Sequence, residues 1–267
     1  MSLPKIGVFD SGVGGLTVLK ELACLIPGAH YFYFGDTARL PYGSKSVETV
    51  AKYAISSAKF LEAHSIDLLV IACNTATALA FDQIGASVGV PVVGVVDPGA
   101  RRTAEATRNR CAVVIGTEAT VNSRAYQRAL TAHGLTIREK ACPLFVPLVE
   151  EGWTEHPVTE QVARIYLDQA FSDEFHSADV LLLGCTHYPL LRPLLRRITP
   201  GHVSIVDSAE STARAVAEKL AVGNPKREAG STKLQFFATD SVEKFRRLGE
   251  RFLQRPIENV QHVDIEG

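Results

Sequence analysis

Residues 67–75 read DLLVIACNT, and residues 179–187 read DVLLLGCTH. Each stretch opens on an aspartate, runs through apolar residues and reaches a cysteine six positions later, at Cys73 and Cys185. A near-continuous apolar run of this length marks a strand buried on both faces, as in a parallel sheet. The polar residues that follow, Asn74-Thr75 and Thr186-His187, mark strand ends that lead into helices. Two weaker echoes point the same way. Residues 6–11 resemble residues 112–117, and residues 95–97 resemble residues 205–207. Shared strand character explains the apolar runs but not a cysteine at both matching ends, so the pattern predicts an internal duplication.

Working outward, apolar runs alternate with helix-period segments along the chain. Strands are expected at residues 5–9, 30–34, 67–72, 91–96, 111–115, 135–140, 179–183, 203–206, 234–238 and 257–263. Helices are expected at 16–25, from 46 onward, and at 75–86, 100–108, 119–133, 158–171, 190–198, 209–220 and 241–253. This alternation implies βαβ units and parallel sheets. The fold class is therefore α/β: two similar doubly wound domains with mainly parallel sheets, related by a pseudo-two-fold, with the active site in the cleft between them. The first domain is expected to take residues 1–97 and 208–267, the second residues 98–207. Residues 223–233 read as a polar linker or long loop.

The 267 residues are 46% hydrophobic and 21% charged, with a formal net charge of −1. That is ample material for a core, and no basic stripe recommends a nucleic-acid partner. The basic stretch from Arg101 to Arg110 reads as the polar face and end of a helix. No apolar run approaches the ~20 residues of a membrane helix, and the N-terminal residues lack a secretory pattern, so a cytoplasmic protein is expected. Five cysteines, odd in number and widely spaced, are no disulfide framework and carry no zinc-site spacing. Cys24, Cys111 and Cys142 read as small hydrophobes.

Cys73 and Cys185 read differently. Open α/β sheets bind ligands at the carboxyl edge of their strands. A helix N-terminus there lowers a thiol's pKa and makes thiolate available as a base, with the thiol as its acid. Two such groups facing one cleft suit proton transfer on opposite faces of a planar carbanion, which a single fixed base does not reach. Asp10 and His187 are candidates to polarise the thiols. The turn Ser11-Gly12-Val13-Gly14-Gly15 is placed to hold a substrate carboxylate or to allow close packing. Short polar side chains (Ser11, Asn74, Thr75, Thr186) are suited to stabilise the carbanion as preorganised donors. Two other readings remain open on these residues: a module that binds an amino acid between two lobes, and a metal site built from Cys73, Cys185 and His187.

Several motifs in combination resemble the glutamate racemases: residues 9–17 (FDSGVGGLT), 35–37 (GDT) with 41–43 (PYG), 72–76 (ACNTA), 143–152 (PLFVPLVEEG) and 183–189 (LGCTHYP). The likeness runs from about residue 5 to 220. It implies interconversion of L- and D-glutamate without cofactor or metal, supplying D-glutamate for peptidoglycan. It implies that Cys73 acts on D-glutamate and Cys185 on L-glutamate, with Asp10 assisting the first thiol and His187 the second. Glu151 or Glu150 stands nearby, with Glu151 taken as the catalytic member. Substrate contacts are implied for Asp10, Ser11, Tyr42, Gly43, Asn74, Thr75, Thr117, Thr186 and His187, with Thr120 close by. The partner is a small molecule; a homodimer is the assembly implied. Members regulated by a cell-wall precursor carry an N-terminal extension, and that regulation is not expected here.

Overall fold

The computed structural model describes residues 3–220 and 231–265. Strands β1 (Lys5–Asp10), β2 (His30–Gly35), β3 (Leu68–Ile71), β4 (Val92–Gly94), β5 (Cys111–Gly116), β6 (Thr136–Ala141), β7 (Val180–Gly184), β8 (Ser204–Asp207), β9 (Lys233–Ala238) and β10 (Val260–His262) alternate with helices. The helices are α1 (Leu16–Leu25), α2 (Val47–Glu62), α3 (Asn74–Ser87), α4 (Val96–Ala106), α5 (Glu118–Asn122), α6 (Ala125–Ala132), α7 (Phe145–Glu150), α8 (Pro157–Ala170), α9 (Arg192–Ile198), α10 (Ser208–Lys219) and α11 (Val242–Leu253).

The strands form two sheets, in orders β10-β9-β2-β1-β3-β4 and β6-β5-β7-β8. Every pairing is parallel. The order β2-β1-β3-β4 in the first sheet recurs as β6-β5-β7-β8 in the second, so the protein is two α/β domains of one winding. The duplication extends to single hydrogen bonds. The Asp67 N–H donates to the carbonyl of Lys5, the first residue of β1, and the Asp179 N–H donates to that of Cys111, the first residue of β5. The echo between residues 95–97 and 205–207 does not hold position for position. β8 runs through Asp207, whereas β4 ends at Gly94 and Val95 already caps α4.

The buried runs behave as sheets covered on both faces require. Leu68, Leu69, Val70 and Ile71 are fully buried, as are Val180, Leu181 and Leu182. One apolar cluster spans both sheets, from Ile6 and Leu68 to Val113 and Leu181. Helix α10 packs on α1 and α4 between them. Burying one such leucine contributes about 1.5–3 kcal/mol, so the two halves share a substantial part of their stabilisation.

Some expected elements differ. The single helix expected at 119–133 is two, broken at Arg124, whose φ is 54°. The Ser123 hydroxyl donates to the Thr120 carbonyl and accepts the Ala125 N–H; local side-chain bonds of this kind compete with continuous helix. Helix α4 starts at Val96 rather than Ala100, with Pro98 inside its first turn, where a missing N–H costs nothing. Helix α7 holds Pro147 in its first turn for the same reason. The strand expected at 257–263 is reduced to β10. Of the expected linker, residues 223–230 lie outside the described residues.

Candidate active site

Each sheet reverses its strand order beside its first strand: the chain goes from β1 to β2 on one side and to β3 on the other, and likewise from β5 to β6 and β7. Ligands bind in the crevice outside the strand carboxyl ends at such a switch point. Ser11 and Cys73 stand at one, Thr117 and Cys185 at the other. Both cysteines are buried and both line a single cavity of about 470 Å³ between the two sheets. Its walls also carry Ser11, Tyr42, Gly43, Asn74, Thr75, Thr117, Thr186, His187, Glu150 and Lys244. A larger groove of about 880 Å³, walled by α3, β4, α4, α6 and α10, contains none of the site residues expected from sequence.

Cys73 caps α3: its sulfur accepts the Ala76 N–H at 3.4 Å and lies 3.6 Å from the Ser11 hydroxyl oxygen. Burial, with Asp10 and Cys185 as negative neighbours, pushes its thiol up to about 12, against the helix-end N–H and Ser11. The expected lowering at the helix start is therefore outweighed: full burial removes more solvation than one N–H restores. Asp10 is 1% exposed. One of its oxygens accepts the Gly12 N–H at 2.9 Å, and the other has no protein partner. Burial raises its pKa, opposed by His187 and the backbone N–H groups of the turn.

The glycine turn serves close approach. A Cβ at Gly14 would stand 2.5 Å from His187 Nδ1, and one at Gly15 would stand 2.6 Å from the Asp10 Cβ. Only hydrogen at Gly14 lets the β1–α1 turn meet the Thr186–His187 segment of the other sheet. The Thr17 hydroxyl then reaches the Thr186 carbonyl at 3.3 Å.

On the other side, His187 is 6% exposed. Its Nε2 lies 3.3 Å from Glu150 Oε1, and Lys244 Nζ lies 3.5 Å from Glu150 Oε2. Burial works against the imidazolium, but hydrogen bonding and charge from Cys185 and Glu150 outweigh it and push His187 up to about 10. Glu150 is held below the usual carboxylate range, first by the His187 hydrogen bond and also by Lys244. The expectation for Glu151 is corrected here. Glu151 is exposed at the C-cap of α7 and does not line the cavity, whereas Glu150 does.

The polar lining crosses between the halves. Thr75, Thr117 and Thr120 share a triangle of hydroxyl contacts of 3.0, 3.3 and 2.9 Å. Thr120 is fully buried behind Thr117. Tyr42 donates to Asp36 at 2.6 Å, and a Cβ at Gly43 would stand 3.0 Å from the Thr117 Cβ. Asn74 donates to the Tyr126 hydroxyl at 2.7 Å, leaving its buried carbonyl oxygen without a protein partner. Lys244 was not anticipated from sequence. It lies on the outer face of an amphipathic helix, where a lysine carries no signal of its own.

The model of the Asp/Glu/Hydantoin racemase family matches residues 12–216. The chain is 56% identical to a glutamate racemase of Koribacter versatilis, over 99% of this chain and 98% of the relative. This chain belongs to the glutamate racemases. As a racemase it is an isomerase of amino acids, and its fold agrees with solved members. A glutamate racemase from Francisella tularensis, solved in complex with D-glutamate, superposes with a TM-score of 0.89 at 34% identity, covering 98% of this chain and 97% of that one. The Escherichia coli glutamate racemase, solved with L-glutamate and the activator UDP-MurNAc-Ala, gives 0.80 at 27% identity, covering both chains fully.

Proposed function

We propose that this racemase interconverts L- and D-glutamate by two-base proton transfer between Cys73 and Cys185. The observation that carries the reading is that two thiols at equivalent strand ends of two like-wound sheets line one cavity. From D-glutamate, the Cys73 thiolate takes the α-proton, the C–H bond breaks and its electron pair stays on carbon as a carbanion. The Cys185 thiol delivers its proton to the opposite face, giving L-glutamate and leaving Cys185 as thiolate. The reverse direction exchanges the roles. A Cys73 thiol as weak an acid as burial makes it is protonated in the empty site, ready to deliver a proton. To act as base it needs the charge of the arriving ammonium group, with Asp10 as proton carrier.

Asp10 assists Cys73, and His187 backed by Glu150 assists Cys185. Ser11, Asn74, Thr75, Thr117 and Thr186 supply polar contacts to substrate, with the Tyr42–Gly43 turn closing one side. These fixed dipoles stabilise charge that develops at the α-carbon and carboxylate more effectively than mobile water does. Residues 1–97 with 208–267 form one domain and residues 98–207 the other, so the cleft is their boundary. The reaction belongs in the cytoplasm, supplying D-glutamate for peptidoglycan. The cell-wall intermediate bound as activator by the Escherichia coli relative supports that placement. A homodimer is the proposed assembly.

The test is replacement of Cys73 or Cys185 by Ala, followed by circular dichroism of each glutamate enantiomer in heavy water. Interconversion is expected to be nearly abolished with the fold intact. Unchanged turnover in either variant, or racemisation without solvent deuterium at the α-carbon of the product, would overturn the reading.

A further inference from the structure

Tyr126 is fully buried on α6, in the half that carries Cys185. Its hydroxyl oxygen accepts from the side chain of Asn74, the residue after Cys73, at 2.7 Å. Its ring lies against Gly184, the residue before Cys185: a Cβ built there would stand 3.0 Å from Tyr126 Cε2. Gly99 leaves room on a third side, where a Cβ would stand 3.5 Å from the hydroxyl and 3.3 Å from Ser208 Cβ. Ser208 is the second polar neighbour of the phenol. One side chain thus touches the immediate chain neighbours of both active-site thiols and the first residue of α10, where the chain returns to the first sheet.

We infer that Tyr126 is a positioning residue that sets the two thiol-bearing strand ends at their working separation across the cleft. The inference rests on the two-thiol reading above. The physical reason is stiffness. The two thiols are carried by different sheets, and a misplacement of about 1 Å at reacting groups costs on the order of 10²-fold in rate. A planar ring wedged on Gly184 fixes the height of the Cys185 strand end. The Asn74 bond fixes the start of the Cys73 helix against the same ring. The Thr75–Thr117 hydroxyl contact also crosses the cleft, but the phenol adds a rigid planar ring to its hydrogen bond. Asn74 itself faces the cavity, so Tyr126 acts through it without touching substrate.

The experiment is Tyr126→Phe, which keeps the ring and removes the hydroxyl. D-glutamate is turned over in heavy water, and deuterium is counted separately in the L-glutamate formed and in the D-glutamate recovered. With the thiols in register, the carbanion is captured promptly from the opposite face and deuterium enters the product. With the opposite thiol displaced, the carbanion persists, the first thiol exchanges with solvent, and deuterium returns to the starting enantiomer. The variant is expected to melt as a folded protein and lose about three- to ten-fold in turnover, the worth of one net hydrogen bond. Its fraction of deuterium in recovered substrate should rise at least two-fold. Turnover and isotope distribution equal to wild type would overturn the inference, as would a fall in turnover with no redistribution. Ser208→Ala, which leaves the ring in place, carries the same isotopic expectation should Tyr126→Phe fail to fold. Cys73→Ala and Cys185→Ala run alongside: racemisation surviving in either sinks the two-thiol reading itself, an outcome separate from any result at Tyr126.

Discussion

Nε2 of His187 lies 3.3 Å from Oε1 of Glu150, and the other Glu150 oxygen faces Lys244 at 3.5 Å. This line of alternating charge, from the C-terminal helix to the Cys185 side of the cleft, keeps His187 protonated to about pH 10. The cationic imidazole therefore places positive charge at the Cys185 end of the cleft. The Cys73 side has the opposite arrangement, a buried carboxyl group beside the thiol. The two half-sites share a fold but differ in charge.

Glu150→Gln tests this chain of charge. The amide keeps the shape but removes the anion that holds the imidazolium. A hydrogen bond to a charged group is worth about 1.5–3 kcal/mol, or roughly ten- to a hundred-fold in rate. Turnover should fall by that order, and the alkaline limb of the pH–rate profile should move to lower pH as His187 loses its proton earlier. Glu151→Gln should leave both unchanged. Because enantiomers have equal free energy in water, kcat/KM must remain equal in the two directions in every variant. Any asymmetry therefore appears as kcat and KM moving together.

The difficulty of choosing between Glu150 and Glu151 shows what the sequence carries and what it omits. Periodicity marks the sheets because a doubly covered strand must be apolar throughout, as at Leu68–Ile71. The paired cysteines were legible for the same reason: each ends such a strand. Adjacent residues on a helix point about 100° apart, so choosing between them requires the phase of α7, a six-residue helix with Pro147 in its first turn. Lys244 and Tyr126 reach the site from segments far away in sequence, and nothing local distinguishes them from an ordinary surface lysine and an ordinary core tyrosine. The break at Arg124 is set by two hydroxyl bonds around Ser123, a detail finer than any apolar pattern records.

The raised pKa of His187 has a consequence for stability. A base whose folded pKa exceeds its unfolded value of 6.5 contributes stability that is complete below pH 6.5 and is lost as pH rises toward about 10. In His187→Gln the loss of stability against urea should therefore be largest below pH 6.5 and shrink steadily up to pH 10. A deficit that stays constant across this range would mean that packing against Phe252, 5.1 Å away, accounts for the effect.

Asp10 should behave in the opposite sense. Its carboxyl is buried, with one oxygen unpaired, and its folded pKa lies above the ordinary 3.8. Ionising it therefore opposes folding, and the penalty grows as pH rises from the unfolded pKa through the folded one. Asp10→Asn keeps an oxygen for the Gly12 N–H and carries no charge. Its urea midpoint should exceed that of wild type at pH 7.5 by more than at pH 4, while turnover falls. Loss of midpoint at pH 7.5 would show that the carboxylate is compensated by partners beyond the Gly12 N–H.

Two glycine-to-alanine changes separate the demands of the site from those of the helix. Gly85 lies inside α3, and a Cβ placed there would meet nothing within 4 Å. Gly85→Ala should therefore stabilise by about 0.5–1 kcal/mol through helix propensity and leave turnover unaffected. Gly14→Ala drives a methyl group to 2.5 Å from His187 Nδ1. Overpacking of this kind costs about 1–3 kcal/mol. The strain is relieved either by moving His187 off Glu150 or by separating the β1–α1 turn from the Thr186–His187 segment. Both routes disturb the cleft, so turnover should fall by far more than the melting temperature suggests. Lowered alkaline tolerance in the pH–rate profile identifies the first route, because His187 then titrates without its carboxylate. A profile of unchanged shape with a raised KM identifies the second, because the cleft itself has widened.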